Sequence, residues 1–436
     1  MDGRKVTDTI VIGFALCAFF LGTGGLILPP AIGLAAGREW GSALLGFAVP
    51  GALLPVLAFA AVVRAGGPEG VASEMGKTFS ILFTSLVMLC AGLLIAIPKT
   101  AAAVHELGIT ADFGPVPQFL ISCAFFAAVF YLSSDFSATV EAVGKYLAPV
   151  LLAIMTVIIA KGVLNPLDIP IDTGIPGTFA FRWGFVDGCR NMNVFGGLIF
   201  SGAVFAAVAA SQRDNRRARV TAYGYAAVTG LGLLFIYGGL LYLGATGSSL
   251  FDAHIGDAEL MVRLIDALFK GFGPSVFAFA TVLACLTAAV GLTSGASHFF
   301  SGMTKGKLSY KACVAVTCVT SLLISAMDIY AVTHRAAQLL VFIHPVAIVL
   351  VLLNALRCSL VNRGTFIGAV CGALVVGFLE MLPENFMPHV SFALRLLPFY
   401  VDGFAWAVPA MACGILGTLC CALLRLYKKE PKGEYS

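Results

Sequence analysis

Residues 10–36 read IVIGFALCAFFLGTGGLILPPAIGLAA, without a charge, and at their centre stand Gly22, Thr23, Gly24 and Gly25, with Pro29 and Pro30 just beyond. A run of this length is enough to cross the hydrocarbon core of a bilayer, which takes about 20 apolar residues. Glycines at mid-depth loosen the helix where no water can satisfy a freed backbone group. Such a break is tolerated only where it lines a cavity inside the protein. The stretch therefore predicts a membrane helix interrupted for a purpose.

The rest of the chain fits that environment. Of its 436 residues, 59% are hydrophobic and only 11% charged, with a mean hydropathy of +0.95, more apolar surface than a soluble core can hide. Apolar runs near residues 10–34, 41–63, 80–103, 117–132, 143–163, 184–209, 219–244, 271–300, 309–327, 333–356, 364–382 and 402–426 predict twelve spans. Eighteen of the 27 lysines and arginines fall on the side of the termini and eight on the other, with Arg190 inside a span, so both termini are expected in the cytoplasm. A net charge of +4 distributed in this way indicates orientation in a lipid bilayer and not a nucleic-acid partner. The twelve cysteines show no CxxC pair, so neither a disulfide framework nor a cysteine metal site is indicated. No HExxH, nucleophile elbow or phosphate-cradling glycine loop points to an enzyme, and no cofactor is expected.

A carrier built from inverted repeats has a second broken helix five spans after the first. Span 6 supplies one: GFVDGCRNMNVFGGLIFSG carries Gly188, Gly196 and Gly197 with Asp187, Arg190, Asn191 and Asn193 in an otherwise apolar run. Unwinding two facing helices exposes amides that receive a carboxylate and carbonyls that receive a cation. Span 8, with CLTAAVGLTSGASHFF, offers Thr287, Thr293, Ser294, Ser297 and His298. Its hydroxyls suit a monovalent cation, or else they bond their own preceding carbonyls while Gly291 and Gly295 pack closely against a neighbour. Loop residues 251–270 have a helical apolar period and predict an interfacial helix. Glu106, Asp135 and Glu141, near helix ends, read as surface charges. His344, beside Pro345, is either a packing histidine or a proton carrier.

The chain resembles the bacterial branched-chain amino acid:cation symporters over nearly its full length. The resemblance lies in FFLGTGGLILPPAIGLAAG (span 1), LPVLAFAAVVRAGG (span 2), GLLIAIPKTAAAVHELG (span 3), GFVDGCRNMNVFGG (span 6), LTAAVGLTSGASHFF (span 8) and LPFYVDGFAWAVP (span 12). It implies an all-α integral membrane protein of the leucine-transporter kind, with a five-plus-five inverted repeat and helices 1 and 6 broken. The repeats would span residues 1–163 and 184–356, with two appended helices over 364–426. It also implies a bacterial inner-membrane location and sodium-coupled uptake of an amino acid by alternating access. Carried over residue by residue, it assigns a sodium site to the Thr293 and Ser294 hydroxyls and the Ala18, Leu21 and Val290 carbonyls. It assigns substrate binding to Phe20, Thr23, Gly24, Gly25, Arg190, Asn191, Asn193 and Phe195, with the carboxylate on the amides near Thr23 and Gly24.

The departures bear on substrate. The family usually has Asn at Gly25, Thr-Met-Asp at Asn191-Met192-Asn193, an apolar residue at Arg190 and Arg at Lys99. Arg190 could bind an extra anionic group, replace a coupling ion, or pair with Asp187 three residues back. Alternatives to sodium-coupled uptake are a proton-coupled carrier of another amino acid or small organic acid, and a membrane sensor that binds an amino acid without moving it.

Overall fold

The computed structural model describes residues 3–109, 116–211, 215–252, 254–326, 329–355, 361–381 and 388–429. Among them every regular element is helical. Span 1 is two helices, Gly3–Phe20 and Thr23–Ala36, and span 6 is two helices, Gly177–Arg190 and Asn193–Ser211. Span 6 starts seven residues earlier than its apolar run, directly after the extended Pro176, and its Arg182 pairs with Asp402. The other spans agree with the twelve-span reading: residues 40–65, 77–109, Gln118–Ser133, 136–164, Asn215–Thr246, Gly273–Met303, Tyr310–Ala326, Ile329–Ala355, Arg363–Met381 and Ala407–Lys429. The interfacial helix expected after span 7 is Asp257–Phe269.

Spans 2, 3 and 5 each contain a π-helical segment, Val49–Leu53, Val87–Ala96 and Val143–Leu147, that ends two residues before Pro55, Pro98 and Pro149 respectively. Proline cannot donate to the carbonyl four residues back and its ring crowds that carbonyl, so a wider turn ahead of it relieves both problems.

The packing brings the two broken spans to the centre. The first half of span 1 lies on spans 7 and 8, and its second half on span 7 and the interfacial helix. The first half of span 6 lies on the start of span 2, and its second half on the end of span 2 and on span 8. Gly46 and Gly184 permit the close approach of spans 2 and 6, and Gly33 and Gly244 that of spans 1 and 7: a methyl at any of them would run into a backbone carbonyl of the facing helix. Spans 11 and 12 pair with each other and dock through span 11 onto span 10, to one side of this centre.

Candidate substrate and cation site

At the first break, Phe20 ends one helix, Gly22 is extended (φ −74°, ψ −178°), and Thr23 begins the next. The first amides of that helix have no partner within it. At the second break, Met192 takes a left-handed conformation (φ 53°), uncommon for a residue with a side chain and characteristic of sites where strain is held for function. The two breaks face each other. A methyl on Gly24 would collide with Asn191 Oδ1, and Asn191 Nδ2 is buried without a partner among the described residues.

Between them lies a cavity of about 620 Å³, within the range of small-molecule sites. Phe20, Thr23, Gly24, Arg190, Asn191, Asn193 and Phe195 all line it. Gly25 does not. It faces Tyr237 of span 7, whose hydroxyl would stand 3.1 Å from an added Cβ, so the binding role assigned to Gly25 has no cavity surface to act through. Asn193 is held at the wall by donating from Nδ2 to the Gly51 carbonyl (3.1 Å) and to the Tyr237 hydroxyl (3.2 Å). The deep end is apolar and aromatic, with Phe200 packed at 5.2 Å from Phe19 and edge-on at 5.3 Å from Phe20.

The mouth, on the side away from the termini, is charged. Arg190 donates from Nη1 to Asp187 Oδ1 at 2.8 Å, which is the third of the roles open to it, while 74% of its side chain stays exposed. Asp257, opening the interfacial helix, has its carboxyl pKa pushed up by partial burial and by the nearby charge of Asp187. Lys99 and Glu106 complete the mouth. Glu106 is exposed, as expected of a surface charge, and also lines the mouth. Its signal was in the sequence: Ala91, Ile95, Lys99, Ala103 and Glu106 follow helical spacing along one face of span 3. The apolar run was cut at residue 103, whereas helix continues through Ile109.

The cation group lies beside this cavity, not in its wall. Threonines elsewhere in the spans bond their own helix: Thr156 to Leu152, Thr229 to Tyr225, Thr246 to Leu243, at 2.7–2.8 Å. Thr287 does the same with Ala284 (2.9 Å) and also donates to the Ala18 carbonyl at 3.3 Å, across to span 1. Thr293, Ser294 and Ser297, each no more than 3% exposed, have no hydrogen-bond partner among the described residues. Ser294 and the Tyr310 hydroxyl lie near enough to interact as a weak hydrogen-bonded pair, although neither meets strict hydrogen-bond geometry. Ala18 already accepts two bonds, from Thr287 and from the Leu21 amide at 3.2 Å. Val290 and Leu21 are fully buried. Gly291 and Gly295 make the close-packed face expected of them, against Phe19 and Ile199. His344 is neither hydrogen-bonded through Nε2 nor exposed there, and its ring lies 5.7 Å from that of Phe195.

Comparison with known proteins agrees with this geometry. The family model described as branched-chain amino acid transport protein matches residues 5–424. The chain is similar to the branched-chain amino acid permease BraB of Bacillus subtilis, at 30% identity over 94% of this chain and 95% of the relative. It is also similar to the branched-chain amino acid transport system 2 carrier protein of Pseudomonas aeruginosa, at 31% identity over 97% and 98%. Among solved structures it shares its fold, at a TM-score of 0.59 and 13% identity over 94% of this chain and 90% of the other, with a Na+-coupled sialic acid symporter. The fold is thus the leucine-transporter one, with spans 1 and 6 broken. The chain belongs to the branched-chain amino acid transport protein family, as a multi-pass bacterial membrane protein that transports an amino acid and is not an enzyme.

Proposed function

We propose that this protein takes up a branched-chain amino acid against its gradient by coupling it to sodium, through alternating access about the two facing breaks. The substrate carboxylate binds the free amides at Thr23 and Gly24, at the positive end of a helix dipole. Its aliphatic side chain points to the apolar floor near Phe20, Phe195 and Phe200. Sodium binds the Thr293 and Ser294 hydroxyls with the Ala18, Leu21 and Val290 carbonyls, and Thr287 gives up its bond to Ala18 when the ion arrives. The moving bodies are the repeats over residues 1–163 and 184–356, with 364–426 appended and both termini cytoplasmic.

The observation that carries sodium is the state of Thr293 and Ser294. Buried hydroxyls without partners cost stability; Thr281, Ser122 and Ser133 share that state, but Thr293 and Ser294 are the adjacent pair that stands on span 8 beside the break in span 1. The donor set is neutral oxygen, which holds a monovalent cation without trapping it. Counterflow of labelled leucine in proteoliposomes, with sodium or with choline, tests the reading. Exchange that is equal in the two salts would overturn sodium coupling.

A second reading is favoured by one side chain. The buried, unpartnered Nε2 of His344, behind the cavity residue Phe195, is placed to exchange a proton with the site. Uptake driven by a pH gradient alone, and abolished in His344→Gln, would choose the proton.

A further inference from the structure

A second cavity, of about 390 Å³, lies on the side of the termini, between the segment Gly66–Gly70 after span 2 and the ends of spans 6 and 8. Its wall includes Met88, Phe205, His298 and Phe299. One residue lines both this cavity and the substrate cavity: Ile199 of span 6. Ile199 is 1% exposed and is clasped by two glycines of neighbouring spans. A Cβ on Gly295 of span 8 would stand 2.6 Å from the Ile199 carbonyl oxygen and 2.8 Å from its Cγ2, and a Cβ on Gly92 of span 3 would meet its Cδ1 at 3.6 Å. Ile199 is thus held closely against span 8 at Gly295, while its Cδ1 end makes an ordinary contact with span 3 at Gly92 and borders the two cavities.

From this we infer that Ile199 is a specificity-determining residue: its side chain is the floor that limits how long an aliphatic substrate fits, and it is also the one-residue partition between that site and the route to the termini side. The inference rests on the amino acid cavity of the proposed function and adds a residue that neither the sequence pattern nor the family resemblance assigns. A pocket discriminates by about 10-fold or more per methylene of fit. Shortening the floor accordingly admits longer side chains, and it opens the partition in the same stroke. Leu198, adjacent, buried and facing neither cavity, controls for the loss of apolar bulk in this helix.

Two readouts test it together. In uptake competition, Ile199→Ala shifts preference from leucine toward methionine and phenylalanine by about 10-fold or more, whereas Leu198→Ala does not. Ile199→Val, which keeps the branch at Cβ, shifts it less in the same direction and remains informative should the alanine variant fail to fold. Independently of transport, Phe205→Cys on the termini-side cavity is titrated with an impermeant thiosulfonate added from the opposite side of oriented vesicles, above the background of the parent's own thiols. Labelling accelerates about 10-fold or more when Ile199 is shortened and stays slow when Leu198 is. An unchanged side-chain preference, or equal labelling with and without Ile199, overturns the inference. A parent that moves no amino acid, with labelling still dependent on Ile199, overturns the proposed function and leaves the partition standing.

Discussion

Replacing Thr293 with Val keeps the shape of the side chain and removes the oxygen. That oxygen is buried and has no partner among the described residues, a state that costs about 1–3 kcal/mol when no ion fills it. Thr293→Val is therefore as stable as the parent or more stable by up to roughly that amount when choline replaces sodium. Sodium stabilises the parent more than the variant. At a concentration 100 times its dissociation constant, an ion that binds only the folded state stabilises it by about 2.7 kcal/mol. Losing one neutral ligand to a charge costs about 1.5–3 kcal/mol, roughly a 10- to 100-fold weaker site, so at the same sodium concentration the gain falls to roughly 0.4–1.4 kcal/mol. Thermal unfolding in detergent, with matched sodium and choline, measures both changes. A variant that loses stability in choline would show that the hydroxyl has a structural partner, and an unaltered sodium-dependent shift would show that it is no ligand. Either result refutes the reasoning.

Four further outcomes follow from the same geometry. Gly24→Ala folds, because the atom it displaces is the end of the Asn191 side chain, and binds leucine roughly 10-fold more weakly by equilibrium dialysis. Gly184→Ala meets the Ala43 backbone carbonyl instead and loses about 3 kcal/mol or more, seen as loss of monodisperse protein in size-exclusion chromatography. Arg190→Leu leaves the mostly buried Asp187 carboxylate without its ion pair, so it lowers stability by about 1–3 kcal/mol in melting, and it leaves the competition profile of leucine against acidic and sulfonated amino acids unchanged. Asp257 takes up its proton more readily in the folded than in the unfolded state, because burial and Asp187 penalise the charge. The parent therefore gains stability as the pH falls through the raised pKa toward about 4, the unfolded value, and Asp257→Asn flattens that rise in a pH series of melting curves.

How much of this was written in the sequence differs from residue to residue. The break in span 1 was, because Gly22 interrupts a run where a continuous helix is otherwise the only way to satisfy the backbone in lipid; in span 6 the polar residues Arg190, Asn191 and Asn193 marked the place, whereas Gly196 and Gly197 lie inside the second helix. The left-handed Met192 was not, since a methionine carries no local preference for φ 53°. The face of span 3 had the right spacing, yet Lys99 and Glu106 look like helix-end charges until the cavity that solvates them is seen. Gly25 sits between two cavity residues in the sequence and still turns its own face to Tyr237, since successive helical positions are 100° apart. Thr293 and Ser294 came from resemblance to a family, because spacing does not distinguish a hydroxyl that bonds its own helix from one that does not. Only the coordinates separate them from Thr287.

The account stands most directly on where the ligands sit. A cryo-EM map of the protein in leucine and sodium should place the amino acid's carboxylate within hydrogen-bonding distance of the Thr23 and Gly24 amides. It should also show an ion touching both Thr293 Oγ1 and Ser294 Oγ. A carboxylate found instead on Lys99 or Arg190 at the mouth, with the two hydroxyls turned to their own helix, would contradict it.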